Sequence, residues 1–225
     1  MTVAMMVSMG AKTALVAAAL VLTACASGPK PPDWQLNAKG ATERAQAAYL
    51  EGNTRVEAAE MAKARQEISS TGRVDLMARA ELLACASRVA SLVFEPCVGF
   101  EKLRPDAPPA SQAYADYLAG RLQPQDINLV PKDQQIIAQA QYSRARAAIE
   151  SIADPLARLV AAGTTFQAGQ ASPALVQAAV DAASSQGWRR PLLAWLGVQL
   201  KLAQTSGSAQ EAERIQRRIA LTLKP

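Results

Sequence analysis

The sequence predicts an all-α fold of antiparallel helix hairpins, on three observations. Half of the 225 residues are apolar but only 4% are aromatic, and alanine supplies much of the difference. The apolar residues recur at spacings of three and four, the period of an amphipathic helix rather than a strand. Breakers such as "SSTG", "ADP" and "ASP" interrupt this pattern at helix-length intervals. Small side chains on facing stripes let helices approach closely. The length suits one domain, or two small ones, with a sizeable core.

The chain opens on Met1 to Ala24, which holds no acidic residue and a single basic one, Lys12. Thr13 to Leu22 is an uninterrupted small and apolar run. A spanning helix needs about 20 apolar residues, so this run is too short to cross a membrane and fits the core of a signal peptide. Met1, Met5, Met6 and Met9 are alternative starts. The run ends in Leu22-Thr23-Ala24-Cys25, which resembles the lipobox of bacterial lipoproteins. That resemblance implies cleavage between Ala24 and Cys25, a diacylglyceryl group on the Cys25 thiol and a further acyl chain on its amine. One chain anchors a protein only marginally, whereas two or three hold it permanently. Ala26, standing where an aspartate would signal inner-membrane retention, implies the outer membrane with the protein facing the periplasm. The expected organisation is therefore a signal peptide over 1–24, a lipidated cysteine and tether over 25–33, and a helical domain over 34–225. In a polyproline-like state at about 3.1 Å per residue, "ASGPKPPD" would hold that domain roughly 25 Å off the lipid.

Trp34, Ala38, Ala41, Ala45 and Ala48 form the first helical stripe, which stops near Gly52. Thr54-Arg55-Val56-Glu57 fits a capping box that opens a second helix, closed by "SSTG". The third carries the stripe Val74, Ala78, Leu82, Cys85, Val89 and Leu92, so Cys85 should face the core. Cys97 follows Pro96, beyond the point where that helix must stop. If the helix ends near Ser91, the chain has enough residues to return and bridge Cys85 to Cys97. If it runs to Phe94, the bridge becomes difficult within the usual Cα limit of about 6.8 Å, and two free thiols are the alternative. An oxidising compartment favours the disulfide.

Residues from Glu95 to Pro109 read as irregular, with one turn around Phe100 to Leu103. A short helix around Tyr114, Tyr117 and Leu118 follows, then the loop "RLQPQDINLVP". A fifth helix spans Lys132 to about Ile152. Asp154-Pro155 and Ser172-Pro173 each read as an N-cap followed by proline in the first helical position. Gly187 reads as a C-cap, and two more helices fill Pro191 to Leu223.

Leu159, Ala162, Gly163 and Phe166 recur thirty-four positions later as Leu193, Leu196, Gly197 and Leu200. Leu175, Ala179 and Ala182 continue the first set, and Ala212 and Ile219 the second after a short insertion. This resembles a degenerate tetratricopeptide repeat and implies a short α/α superhelix, with a close helix contact at each glycine.

Little in the chain points to catalysis. Histidine is absent, which removes the commonest general base and zinc ligand. There is no phosphate-binding glycine loop and no metal-ligand spacing, so neither cofactor nor metal is expected. "IESIADPLA" resembles the glutamate-serine motif of lytic transglycosylases, in which Glu150 would be the general acid that cleaves glycan strands. The rest of that family's pattern is missing.

Charge is concentrated at the C-terminal end. From Gly187 onward, Arg189, Arg190, Lys201, Arg214, Arg217, Arg218 and Lys224 face only Glu211 and Glu213. The last helix should turn Ala212, Ile215, Ile219 and Leu223 inward. Its arginines then either pair along the surface, Glu211 with Arg214 and Glu213 with Arg217, or contact an acidic partner. Arg189, Arg190, Arg214, Arg217 and Arg218 are the candidates for such a contact with anionic lipid, peptidoglycan or an acidic protein. Nucleic acid is not an expected partner in the periplasm. The resemblance to tetratricopeptide lipoproteins implies a non-enzymatic, outer-membrane-anchored adaptor for envelope proteins, with a peptidoglycan-binding or peptidoglycan-cleaving lipoprotein as the alternative.

Overall fold

A computed structural model of the chain describes residues 30–139 and 145–224. The chain divides into two units, Met1–Pro32 and Asp33–Pro225, and all the described helices lie in the second. They are α1 (Asp33–Glu51), α2 (Thr54–Ser69), α3 (Val74–Ala90), α4 (Val98–Glu101), α5 (Pro109–Leu118), α6 (Lys132–Gln139), α7 (Ala145–Ser151), α8 (Pro155–Gln167), α9 (Pro173–Ser185), α10 (Arg189–Thr205) and α11 (Ala209–Leu223). Two 3₁₀ turns, Arg104–Asp106 and Pro124–Leu129, punctuate the middle of the chain. No strand forms among the described residues, and the fold is all-α, as the periodicity predicts. Residues 140–144, expected to lie within one long fifth helix, are outside the described residues.

The alanine stripe of α1 packs against α2, with Ala38, Ala41, Ala45 and Ala48 all buried. Asn53, not Thr54, caps α2: its side-chain oxygen accepts from the Val56 N–H at 3.2 Å. Thr54 is already helical, and Glu57 is turned inward to Arg88 rather than back onto the cap. The capping-box reading therefore misplaces the helix start by one residue. The caps of α8 and α9 are those expected, Asp154 accepting from Ala157 N–H and Ser172 from Leu175 N–H. Gly187 closes α9 in the left-handed region, at a φ of 67°, where glycine pays no steric penalty.

Helix α3 is the central element and touches α1, α2, α5 and α8. Residues all round it are buried, from Ala78 and Leu82 on one side to Ala80 and Ser87 on another. A single stripe therefore understates its burial. Its last four carbonyls have no partners within the helix, and each finds one elsewhere. Ser91 Oγ donates to Ser87 O, and Val93 N–H donates to Arg88 O. Leu92 N–H donates to Val89 O, and the indole of the fully buried Trp195 in α10 donates to Ala90 O at 3.0 Å. Leu92 itself sits at a φ of 59°, a left-handed turn that reverses the chain. Such a conformation is unusual for a bulky residue.

The C-terminal hairpins α8/α9, α9/α10 and α10/α11 stack in sequence order. Helix α10 also returns to α1: Arg190 donates to Tyr49 O at 2.7 Å and to Thr54 Oγ1 at 2.9 Å. A linear solenoid has contacts between neighbouring repeats only, so this long-range contact ties the two halves of the chain together. In α11, Ala212 and Ile215 are buried and Ile219 is half-buried, but Leu223 is exposed, contrary to the inward position expected for it.

The two repeat glycines have different surroundings. A Cβ on Gly163 would lie 3.0 Å from Val89 Cγ1 and closer still to the Val89 carbonyl oxygen. The close contact is therefore with α3, across the fold. Gly197 is exposed, with nothing within 4 Å of the Cβ position, so the expected close packing there is wrong. Opposite responses should follow. Gly163→Ala should lower the melting temperature, because the obstructing atom is backbone and a fit requires moving a helix. Gly197→Ala should raise stability by up to about 1 kcal/mol through helix propensity. Thermal melts of the two variants check both signs.

Candidate functional site

The reversal at Leu92 starts the wall of a groove. The segment after it must leave the C-terminal end of α3, and Cys97 draws it back along the helix. Cys85 and Cys97 are joined by a disulfide with their Cα atoms 5.8 Å apart. The helix ends at Ala90, which meets the condition set by the spacing. Residues 94–99 are held across α2 and α3, and between them lies a groove of about 750 Å³. That volume is within the range of ligand sites, roughly 300–1,000 Å³. Met61, Ala84, Val89, Ala115 and Leu118 provide apolar lining, and Phe94, Pro96 and Val98 form the edge.

Ion pairs line the rest. Glu81 projects from the middle of α3 and its side chain is only 8% exposed. Arg65 of α2 grips it with two hydrogen bonds, at 2.6 and 2.9 Å. This pairing favours the charged guanidinium and moves the Arg65 pKa upward. A Cβ on Gly99 would overlap the Glu81 carboxylate, so a side chain there would require Glu81 to shift. Glu57 accepts from Arg88 at 2.9 Å. The Arg88 guanidinium also lies 5.0 Å from the ring centre of Tyr49, with Arg190 at 4.3 Å. Burial raises the Tyr49 pKa, while the two guanidiniums pull it the other way.

At the far end Arg104 bonds both Glu101 and Asp116, and Arg121 joins the cluster. The hydrogen bond from Arg104 leads the effects that hold the Glu101 carboxyl below its ordinary pKa. Glu95 has no hydrogen-bond or ion-pair partner among the described residues, although it stands on the groove wall. Gln167, which also lines the groove, has a buried Oε1 with no hydrogen-bond partner.

The residues singled out from sequence fare differently. Ala24 and Cys25 lie outside the described residues. Arg190 donates to Tyr49 O in α1 and to Thr54 Oγ1 in α2. Arg214 pairs with Glu211 at 2.8 Å and Arg217 with Glu213 at 3.8 Å, which is the surface-pairing alternative. Arg189 is exposed and Arg218 half-buried. Glu150 is an exposed residue near the end of α7 and does not line the groove. Among the described residues there is no cluster of side chains suited to a metal. No described helix is long and apolar enough to cross a membrane.

Sequence reasoning missed Arg65, Glu57, Glu81 and Arg88. One signal was available: Glu81 precedes Cys85 by one helical repeat of four, so a core-facing Cys85 implied a carboxylate on the same side needing a partner.

Two measurements test this geometry. Cys97→Ala should lower stability by about 3 kcal/mol, the chain-entropy effect for a short loop, and the wild-type thiols should resist alkylation in denaturant until reduced. Acid should weaken the Arg104 cluster. With its folded pKa depressed, Glu101 contributes stability above its unfolded pKa and loses it as pH falls through the folded value. Glu101→Gln should therefore show a smaller fall in melting temperature between about pH 5 and pH 3 than wild type does.

Compared with known proteins, the chain matches no family model, no curated protein and no solved structure.

Proposed function

We propose that this chain is a lipoprotein of the bacterial outer membrane, anchored through Cys25 and facing the periplasm, and that it is a non-enzymatic adaptor for other envelope proteins. The anchor rests on Leu22-Thr23-Ala24-Cys25 at the end of an apolar run, and the bonded pair Cys85–Cys97 suits an oxidising compartment. The observation that carries the adaptor reading is the groove. It combines apolar lining with carboxylates that, apart from Glu95, are already committed to arginines. Such walls offer shape and apolar area to a partner rather than a free acid or base for chemistry.

Cys25→Ser should accumulate as an unlipidated precursor that retains its signal and takes up no labelled palmitate. A mutant that matures to wild-type size and still incorporates palmitate would exclude the anchor. For the adaptor function, a photo-crosslinker at Val98, which is 60% exposed, should capture a discrete envelope protein in living cells. Sedimentation with purified sacculi distinguishes the alternative. Binding or muropeptide release that persists without protein partners would favour a peptidoglycan-directed role.

A further inference from the structure

The chemistry of the groove's ligand follows from the exposed Glu95, the carboxylate on the wall that has no hydrogen-bond or ion-pair partner among the described residues. Beside it Phe94 stacks on Phe166 with ring centres 6.3 Å apart. On either side of Glu95 the wall displays apolar surface, Phe94 at 38% and Val98 at 60% exposure. Burying Phe94 and Val98 is the available source of affinity. Any partner that covers them also withdraws Glu95 from water, and a carboxylate stranded in that way is costly unless the partner supplies a cation.

The opposite polarity is unfavourable. An anionic ligand would compete with carboxylates already held by the groove's guanidiniums, Glu81 on Arg65, Glu57 on Arg88, and Glu101 and Asp116 on Arg121. We propose that the groove binds an extended segment of a partner protein in which an apolar side chain is adjacent to lysine or arginine. The apolar side chain covers Phe94 and Val98, and the cation meets Glu95. This proposal rests on the adaptor reading and names the kind of sequence the adaptor recognises.

The test uses the full-length protein in detergent and three unlabelled hexapeptides, with binding read by isothermal titration calorimetry. All are acetylated and amidated Ser-Gly-X-Y-Gly-Ser, with Phe-Lys, Phe-Glu or Ala-Lys at the centre. The Phe-Lys peptide should bind up to about fivefold more tightly than Phe-Glu, the upper range for one exposed ion pair, and more tightly than Ala-Lys through its apolar area. Glu95→Gln should reduce the Phe-Lys preference over Phe-Glu to within about twofold. Val98→Ser should weaken Phe-Lys binding, and Arg217→Ala should leave it unchanged. Both wall variants alter exposed side chains, so unchanged melting temperatures will show that the fold is intact.

Equal binding of Phe-Lys and Phe-Glu overturns the proposal, as does no binding of Phe-Lys at about 1 mM peptide. Self-association that Glu95→Gln abolishes would place a second copy in the groove and also overturn it. A protein crosslinked in cells from α11 but not from position 98 would preserve the adaptor function while removing the groove from it.

Discussion

The C-terminal end of α3 is the constraint on which the rest of the structure depends. A central helix cannot leave its last carbonyls to solvent, so partners must come from the surrounding chain. Two are local, the Ser91 hydroxyl and the backbone reversal through Leu92. The third, the indole of Trp195, comes from 105 residues further along the chain. That hydrogen bond brings α10 against α3, and Phe166 meets the Trp195 ring edge-on at 5.8 Å. The Val89 carbonyl lies against α8 where Gly163 offers no side chain. One helix end thus sets the positions of α8, α10 and the outgoing strand of backbone.

The groove is a consequence of the same end. Because Leu92 turns the chain back, the next residues run beside α3 instead of away from it, and Cys97 comes within reach of Cys85. The disulfide fixes the near side of this wall, and the burial of Phe100 fixes the far side. Glu81 then lies beneath Gly99 with its carboxylate enclosed on one side and held by Arg65 on the other. Removing either partner of a buried pair typically costs about 3–5 kcal/mol. Arg65 is 47% exposed, so water would relieve part of any such loss. The pair aligns α2 with α3 more than it stabilises the fold as a whole.

Much of the fold was legible because local signals and packing agree. The alanines of α1, the Asp154-Pro155 and Ser172-Pro173 helix starts and the Gly187 stop each follow from a backbone requirement that one residue type satisfies. The groove was less legible. Glu57 fits a local capping pattern three residues after Thr54, but its long-range bond to Arg88 prevails, since Asn53 already serves the cap. Arg190 reads as one cation of a basic segment, yet Tyr49, 141 residues away, holds it by backbone and ring together. The glycine repeat shows the same limit. Gly163 and Gly197 hold equivalent places in the sequence pattern, but only Gly163 meets α3. Sequence period records helix spacing, whereas burial depends on what the chain brings alongside.

The middle of the molecule combines apolar packing with a polar network. Residues 104–131 include two short 3₁₀ turns and helix α5, which buries Ala113, Ala115, Tyr117 and Leu118 in the core. They are tied to α8 through Tyr117, whose hydroxyl donates to Gln134 Oε1 at 2.6 Å and lies 2.9 Å from Thr164 Oγ1. Gln134, 1% exposed, completes the tie by donating to Ala157 O at 2.9 Å. Buried amides and hydroxyls are costly unless they are paired, so this network tolerates few alternative arrangements of the loop. It fixes α5, whose Ala115 and Leu118 line the groove. Covalent bonding holds one part of the groove and buried hydrogen bonds hold another. The groove therefore persists as a preformed surface, and a partner segment would bind it without first having to order it.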